Sequence, residues 1–302
     1  MTTSIASLYE LFNAKQYDAC MQQLQSVTPA DLAADAAATV AYHDLYGRVC
    51  YMLGLYDQAE KSVAAGVAAG GVQQLAPLNQ AVADARNLLA KAPPVFSSGD
   101  WARDKDVLRI GGSITHPYQV QLAQARRVFD TNSQTGYTAN VDLLLDAHRM
   151  PSLKDGEFDA VCSAHTIEHL INPLLALEEW RRVLKPGGLI LSVVPNKEKT
   201  FDHKRPLTTL EHLIDDYKSG STALNWHHVL EFLRGHDVDR DIAYKGDKEA
   251  HFRHVIDAPQ FNVHVHVFDL PLVYVMHEYA GFKTLGAFEA DVGIYYFGQK
   301  KP

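Results

Sequence analysis

The feature that most constrains this chain lies between residues 105 and 196. There, short and almost wholly apolar runs alternate with segments of helical period. Val107-Leu108-Arg109-Ile110, ending in Gly111-Gly112, is the first run, and Arg127-Val128-Phe129-Asp130 is the second. Val141 to Asp146, Phe158 to Ser163, and Leu189 to Val194 are the third, fourth and fifth; the last is apolar except for Ser192. A strand with one wet face would alternate polar and apolar residues. Runs that are apolar throughout fit strands buried on both faces of a parallel sheet. Between the last two runs, apolar residues at 174, 175, 177, 180, 183 and 184 follow the period of a helix with one buried stripe. Pro173 suits its first turn, and Pro186-Gly187-Gly188 predicts its stop. The pattern predicts an open α/β sheet with helices on both faces, in which ligands bind at the carboxyl ends of the strands.

The first 91 residues have a different texture, rich in Ala, Leu and Gln and poor in β-branched runs. Two prolines, Pro93 and Pro94, oppose helix continuation there. This predicts an all-α helical-hairpin domain over 1–95, a linker at 92–100, and an α/β domain over 96–302. Two domains agree with a length of 302 residues at roughly 150 per domain. Lys15-Gln16-Tyr17-Asp18-Ala19 is echoed by Gly54-Leu55-Tyr56-Asp57-Gln58-Ala59, each between two apolar helical segments. Helix, short turn, helix, twice over, resembles a tetratricopeptide repeat, and it fits a plain helical bundle equally. Either form suits a protein partner or self-association, and neither carries a catalytic constellation.

Composition sets the outer bounds. At 47% hydrophobic and 21% charged residues the chain is an ordinary globular one. No stretch approaches ~18 uninterrupted apolar residues, so no membrane span is expected. A formal charge of −8 gives little general attraction to nucleic acid, whose binding rests on phosphate neutralisation. Cys20, Cys50 and Cys162 show no metal-type spacing and read as reduced thiols of a cytoplasmic protein. The start, MTTSIASLYELFN, lacks a basic segment followed by an apolar one, so no secretory signal is expected.

The most specific stretch is 157–196. It contains Phe158-Asp159, Glu168-His169, Asn172-Pro173, Arg182-Val183-Leu184-Lys185-Pro186-Gly187-Gly188 and Pro195-Asn196 in that order. In this it resembles the class I S-adenosylmethionine-dependent methyltransferases, over roughly 105–196 and more loosely over 262–299. The resemblance implies a Rossmann-like sheet and S-adenosylmethionine as cofactor. It implies that Gly111 and Gly112 let backbone approach the cofactor's amino-acid tail, that Asp130 accepts the ribose hydroxyls, that Asp146 and Ala147 lie at the adenine end, and that Ser163 and His165 stand beside the methyl group. One departure stands out. The family usually has an acid near the end of the first strand and then Gly-x-Gly-x-Gly. Here Arg109 replaces the acid, and Gly111-Gly112-Ser113-Ile114-Thr115 lacks the third glycine.

An insertion over 197–260 opens with Asp202-His203-Lys204-Arg205-Pro206, and Asn262 to Phe268 follows it as Asn-Val-His-Val-His-Val-Phe. Both resemble methyltransferases encoded with bacterial surface-polysaccharide enzymes. The sequence holds 15 histidines, most of them after residue 200. His264 and His266 share one face of an extended segment. With His165 and His203 they suit acceptor binding or base catalysis, a metal, or a structural role. Lys204 and Arg205 suit an anionic, phosphorylated acceptor. The expected function is methyl transfer to oxygen of a small or carbohydrate-linked acceptor. A non-catalytic scaffold with a relic fold and a metal-dependent methyltransferase using the His-rich insertion are the alternatives.

Overall fold

The computed structural model describes residues 5–28, 35–111, 118–122, 124–131, 142, 144–241, 243–244, 246–259 and 263–302. They divide into two compact units. The first contains α1 (Ile5–Asn13), α2 (Tyr17–Gln25), α3 (Ala36–Met52), α4 (Tyr56–Ala68) and α5 (Val72–Lys91). The echo seen in the sequence is conformational. Lys15 and Gly54 both take a left-handed backbone, with φ of 59° and 73°, and Tyr17 and Tyr56 open the following helices. A left-handed residue just past a helix turns the chain off the helical path. Leu8, Cys20, Leu24, Leu45, Val49, Val63, Leu75 and Leu78 form the buried face of these hairpins. Asp44 of α3, itself buried, accepts from the Tyr9 hydroxyl at 2.9 Å and pairs with Arg48 at 3.0 Å, which ties α1 to α3.

The second unit starts at Ala92. The expected linker at 92–100 is therefore part of the α/β unit rather than a spacer. Its short helix α6 (Pro94–Ser97) buries Phe96, whose ring packs tilted against Phe297 at 4.7 Å and Trp101 at 5.7 Å. After α6 come β1 (Asp106–Gly111), β2 (Arg127–Thr131), β3 (Phe158–Ala164), α8 (Pro173–Val183) and β4 (Leu184–Pro195). The intervening α7 (Tyr118–Leu122) groups with the first unit. The insertion carries α9 (Leu210–Ser219), α10 (Trp226–Gly235) and α11 (Lys248–Asp257), and the chain closes with α12 (Leu270–Tyr279), β5 (Phe282–Ala290) and β6 (Gly293–Lys300).

Among the described residues, six strands stand in the order β2-β1-β3-β4-β6-β5. The first four are parallel, and β6 runs antiparallel between β4 and β5. Both faces are buried, as the apolar runs require. Leu108, Ile110, Val161, Ile190, Val194 and Tyr296 pack with α8, α9 and α12 in one core, while Val107, Cys162, Leu191, Val193 and Phe297 fill the alternate positions. In its described residues the third apolar run is not a strand. Val141 and Leu143 lie outside the described residues; Leu144 is exposed, and Asp146 makes only an isolated bridge to Arg149. A short apolar run is compatible with a strand without requiring one. The predicted helix over 173–184 ends at Val183, and the chain passes directly into β4 ahead of Pro186. Among the described residues no helix is long and apolar enough to cross a membrane.

Ser192, the one polar residue of the fifth run, has a buried partner. His277 Nδ1 lies 2.8 Å from the Val273 carbonyl, which can only accept, so Nε2 carries the lone pair and accepts from Ser192 Oγ at 3.0 Å. Burial keeps this imidazole neutral and pushes its pKa down to about 4. Ser192→Ala strands that lone pair in the core and is expected to cost about 1–3 kcal/mol in denaturant titration. Unchanged stability would show that the pair carries no such burden.

Candidate active site at the carboxyl edge of the sheet

Ile110 pairs with Thr131, and Gly111 pairs with Ala164. The carboxyl ends of β1, β2 and β3 therefore lie side by side. Strand order reverses at β1, the place in an open α/β sheet where ligands bind at the carboxyl ends of the strands. Gly111 has φ of 83°, and a Cβ there would lie 1.7 Å from Thr166 Oγ1, so only glycine fits. The Thr166 hydroxyl bridges the carbonyls of Ile110 and Ala164, at 3.3 and 3.2 Å, and fixes the corner where β3 leaves the sheet.

Two polar groups at this edge are buried without complete partners. Ser163 Oγ has none, and Asp130 has one carboxylate oxygen unmatched. The other oxygen of Asp130 accepts from Arg109, its neighbour in the register. Arg109, which stands where the family usually has an acid, thus places a cation on the second-strand carboxylate. Asp130 is also anchored through its backbone, donating to Asp142 at 2.7 Å and accepting from it at 2.9 Å. Buried polar atoms are almost always satisfied, so an orphaned carboxylate oxygen and an orphaned hydroxyl beside a side-chain-free corner fit a ligand that brings its own hydroxyl and amino groups. Gly112 lies outside the described residues. Asp146 is half-exposed and takes both the backbone N–H and Nδ1 of His148, at 2.9 and 2.8 Å, in a local turn. Buried Ala147 offers its carbonyl to the Trp180 indole at 3.0 Å.

His165 follows β3 directly, with a left-handed φ of 50°, and its N–H donates to the Val193 carbonyl at 2.9 Å. Its Nδ1 lies 3.5 Å from Glu168 Oε1. Burial pushes the His165 pKa down, but the Glu168 carboxylate outweighs it and holds the pKa above the ordinary histidine value. Glu168 is fully buried, and neither carboxylate oxygen makes a hydrogen bond. Burial pushes its pKa up, and the surrounding imidazoles of His165, His169 and His264 reverse the sign. The Glu168 carbonyl accepts from Val265 at 2.6 Å and His266 at 3.3 Å, which docks residues 263–267 against this corner. His264 meets His169 edge to face at 4.8 Å.

The structure thus brings His165 and His264 to one carboxylate and sends the other named residues elsewhere. His203 and Lys204 converge on Asp237, at 2.7 and 2.8 Å. Buried His266 donates from Nε2 to the Ile171 carbonyl at 3.2 Å. Arg205 corrects the expectation of a cation free to meet an acceptor. It is fully buried, bonded to Asp202 at 2.9 Å, to Glu231 at 3.0 Å and to the Val265 carbonyl at 3.2 Å, with its guanidinium over the Phe232 ring. Asp202 in turn accepts from His264 Nδ1 at 2.5 Å. Sequence reasoning missed Asp202, Asp237 and Thr166. Asp202 and Arg205 at i and i+3 hint at a local pair, but nothing in the sequence links Asp237 to residues more than thirty positions away.

Residues 108–192 match the model of a family described as a methyltransferase domain. S-adenosylmethionine is the cofactor of such a domain. A ubiquinone biosynthesis O-methyltransferase, mitochondrial, of Dictyostelium discoideum is 31% identical over 86 residues. That alignment takes in 28% of this chain, and the chain spans about a quarter of the length of that curated relative. Among solved structures, a SAM-dependent methyltransferase of Thermotoga maritima, described as a possible histamine N-methyltransferase, aligns at 15% identity and a TM-score of 0.41, over 76% of this chain and 97% of its own. A methyltransferase of Mesorhizobium loti aligns at 10% identity and a TM-score of 0.42, over 71% and 96%.

Arg205→Ala removes the cation beside buried Asp202 and is expected to cost about 3–5 kcal/mol in denaturant unfolding. Burial pushes the Asp202 pKa up, but the charges of His264 and Arg205 hold it below the ordinary carboxylate value. Its contribution is therefore present above the unfolded pKa of about 4 and lost as pH falls through the lower folded value. Wild type should lose stability over that acid range, and the variant should lose less.

Proposed function

We propose that this chain is an S-adenosylmethionine-dependent methyltransferase that methylates a hydroxyl of a small or carbohydrate-linked acceptor. The observation that carries the proposal is the carboxyl edge itself: Gly111 without room for a Cβ, and the orphaned atoms of Asp130 and Ser163 beside it. Gly111 and Gly112 admit the amino-acid tail, Asp130 receives the ribose hydroxyls, and Asp146 with Ala147 takes the adenine side. When bound, the cofactor supplies a methyl group already activated by its sulfonium. The protein then needs to align an acceptor, exclude water and manage one proton.

His165 manages that proton. A hydroxyl has a high pKa and gains from a base tuned near neutral pH. The buried Glu168 carboxylate orients the imidazole and stabilises the imidazolium formed when the acceptor proton arrives at the ring. His264, held by Asp202, completes the wall on the acceptor side. Lys204, half-exposed, is the cation left to favour a phosphorylated acceptor, since Arg205 is enclosed. The helical hairpins of the first unit serve a protein partner or a second copy of the chain.

Calorimetry with S-adenosylmethionine tests the cofactor site. Wild type should bind at micromolar affinity, and Asp130→Ala should bind at least tenfold more weakly, about 1.4 kcal/mol. No wild-type binding at millimolar cofactor would leave a non-catalytic scaffold as the better description. A pH profile tests the base. Only neutral His165 accepts a proton, so activity should rise with pH through a pKa above about 6.5. Glu168→Gln leaves burial unopposed and should move that limb to lower pH. A limb that stays in place would remove His165 from the role.

A further inference from the structure

The insertion holds a second cluster, made of residues that the proposed chemistry does not use. His212 and Asp216 stand at i and i+4 on α9, so both side chains leave the same face. His228 faces them from the first turn of α10. One donor atom from each of the three lies within 4.8 Å of the others. Backbone caps hold both ligand-bearing turns. The Thr209 hydroxyl accepts from the His212 N–H at 3.2 Å, and the Asn225 side chain accepts from His227 and His228 at 2.9 and 3.2 Å. The carbonyl of Asp216 is fixed in turn by the Asn172 amide at 2.7 Å.

Two of the three donor groups lack the partners that an ordinary polar cluster would have. Asp216 Oδ2 is shut from water without a hydrogen bond, and so is His228 Nδ1. His212 Nε2 stands 3.3 Å from Asp216 Oδ2. A charged imidazole–carboxylate bond would close to about 2.7–2.9 Å. Two ligands of one tetrahedral zinc, each at about 2.0–2.1 Å from the metal, stand roughly 3.3 Å apart. The His212–Asp216 separation is that of two ligands around an ion rather than of partners bonded to each other. The ring of His266 closes the cluster, 5.4 Å from His212 and 5.5 Å from His228 between centroids. Its Nε2 donates to Ile171 and stands 3.7 Å from Asp216 Oδ2, so the ring packs against the ligands.

We propose that His212, Asp216 and His228 form a binding site for a divalent transition-metal ion of the zinc class. Two imidazoles and a carboxylate suit such an ion, and three protein ligands leave one of its four positions open to water. The ion joins α9 to α10 and, through Asp216 and Asn172, to the start of α8. None of the three ligands is assigned to the cofactor or to proton transfer, so the site is independent of the methyltransferase proposal.

The test uses the full chain, stripped with chelator and titrated with zinc chloride by calorimetry. A parallel titration with cobalt chloride reads the visible absorption of a four-coordinate nitrogen–oxygen site. Wild type should take up one equivalent at micromolar affinity or tighter, and His212→Ala and His228→Ala should each weaken uptake at least tenfold. His212 is partly exposed, so its variant should keep the wild-type circular dichroism spectrum. His169→Ala, which alters the other imidazole–carboxylate group, should bind zinc as wild type does. No saturable uptake below about 100 μM would overturn the assignment. So would equal affinity in wild type and His212→Ala, or loss in His169→Ala with His212→Ala unaffected.

Discussion

The α/β unit turns on the buried carboxylate of Glu168. A carboxylate taken out of water without hydrogen bonds is costly, and it persists only where positive charge or polar hydrogens gather round it. Here three imidazoles do so, from His165, His169 and His264. Each comes from a different context: the end of β3, the short turn after it, and the segment that returns from the insertion. The backbone carbonyl of the same residue binds that returning segment. One residue thus fixes the corner where the sheet ends and positions the wall across from it. The same charge balance sets the protonation of His165, so packing and acid–base chemistry share one cause.

A second buried charge organises the insertion. Arg205 has no contact with solvent, and its guanidinium is shared among Asp202, Glu231 and a backbone carbonyl. Asp202 passes the constraint to His264, and so to Glu168. The small apolar cluster of Ile171, Val229, Phe232, Val255, Val263 and Val265 surrounds this network. The insertion has its own core, and charged residues that look like a solvated loop in the sequence lie inside it.

Much of the sheet was legible in the sequence because its strands are buried on both faces, which leaves an unbroken apolar signature. Val107 to Ile110, Phe158 to Ser163 and Leu189 to Val194 each carry it. Asn172-Pro173 marked the start of α8 because capping chemistry is local. The run Val141 to Asp146 carried the same signature without becoming a strand in its described residues, since apolar content alone does not supply a pairing partner. The 92–100 segment reads as a linker by its prolines and serines, yet Phe96 packs in the core against Phe297, far along the chain.

The chain's own order of residues determined the periods, the caps, the glycine corner at Gly111 and the residue types available at the carboxyl edge. These depend on neighbours within a few positions, where backbone sterics and helix or strand geometry decide the outcome. Only the tertiary structure decided which histidines meet which carboxylates. His203 went to Asp237, His264 to Asp202 and Glu168, and His212 and His228 to Asp216. Ion pairs and shared ligands form between side chains that folding brings together from distant positions, and the free energy of burying each charge depends on that whole environment rather than on local order.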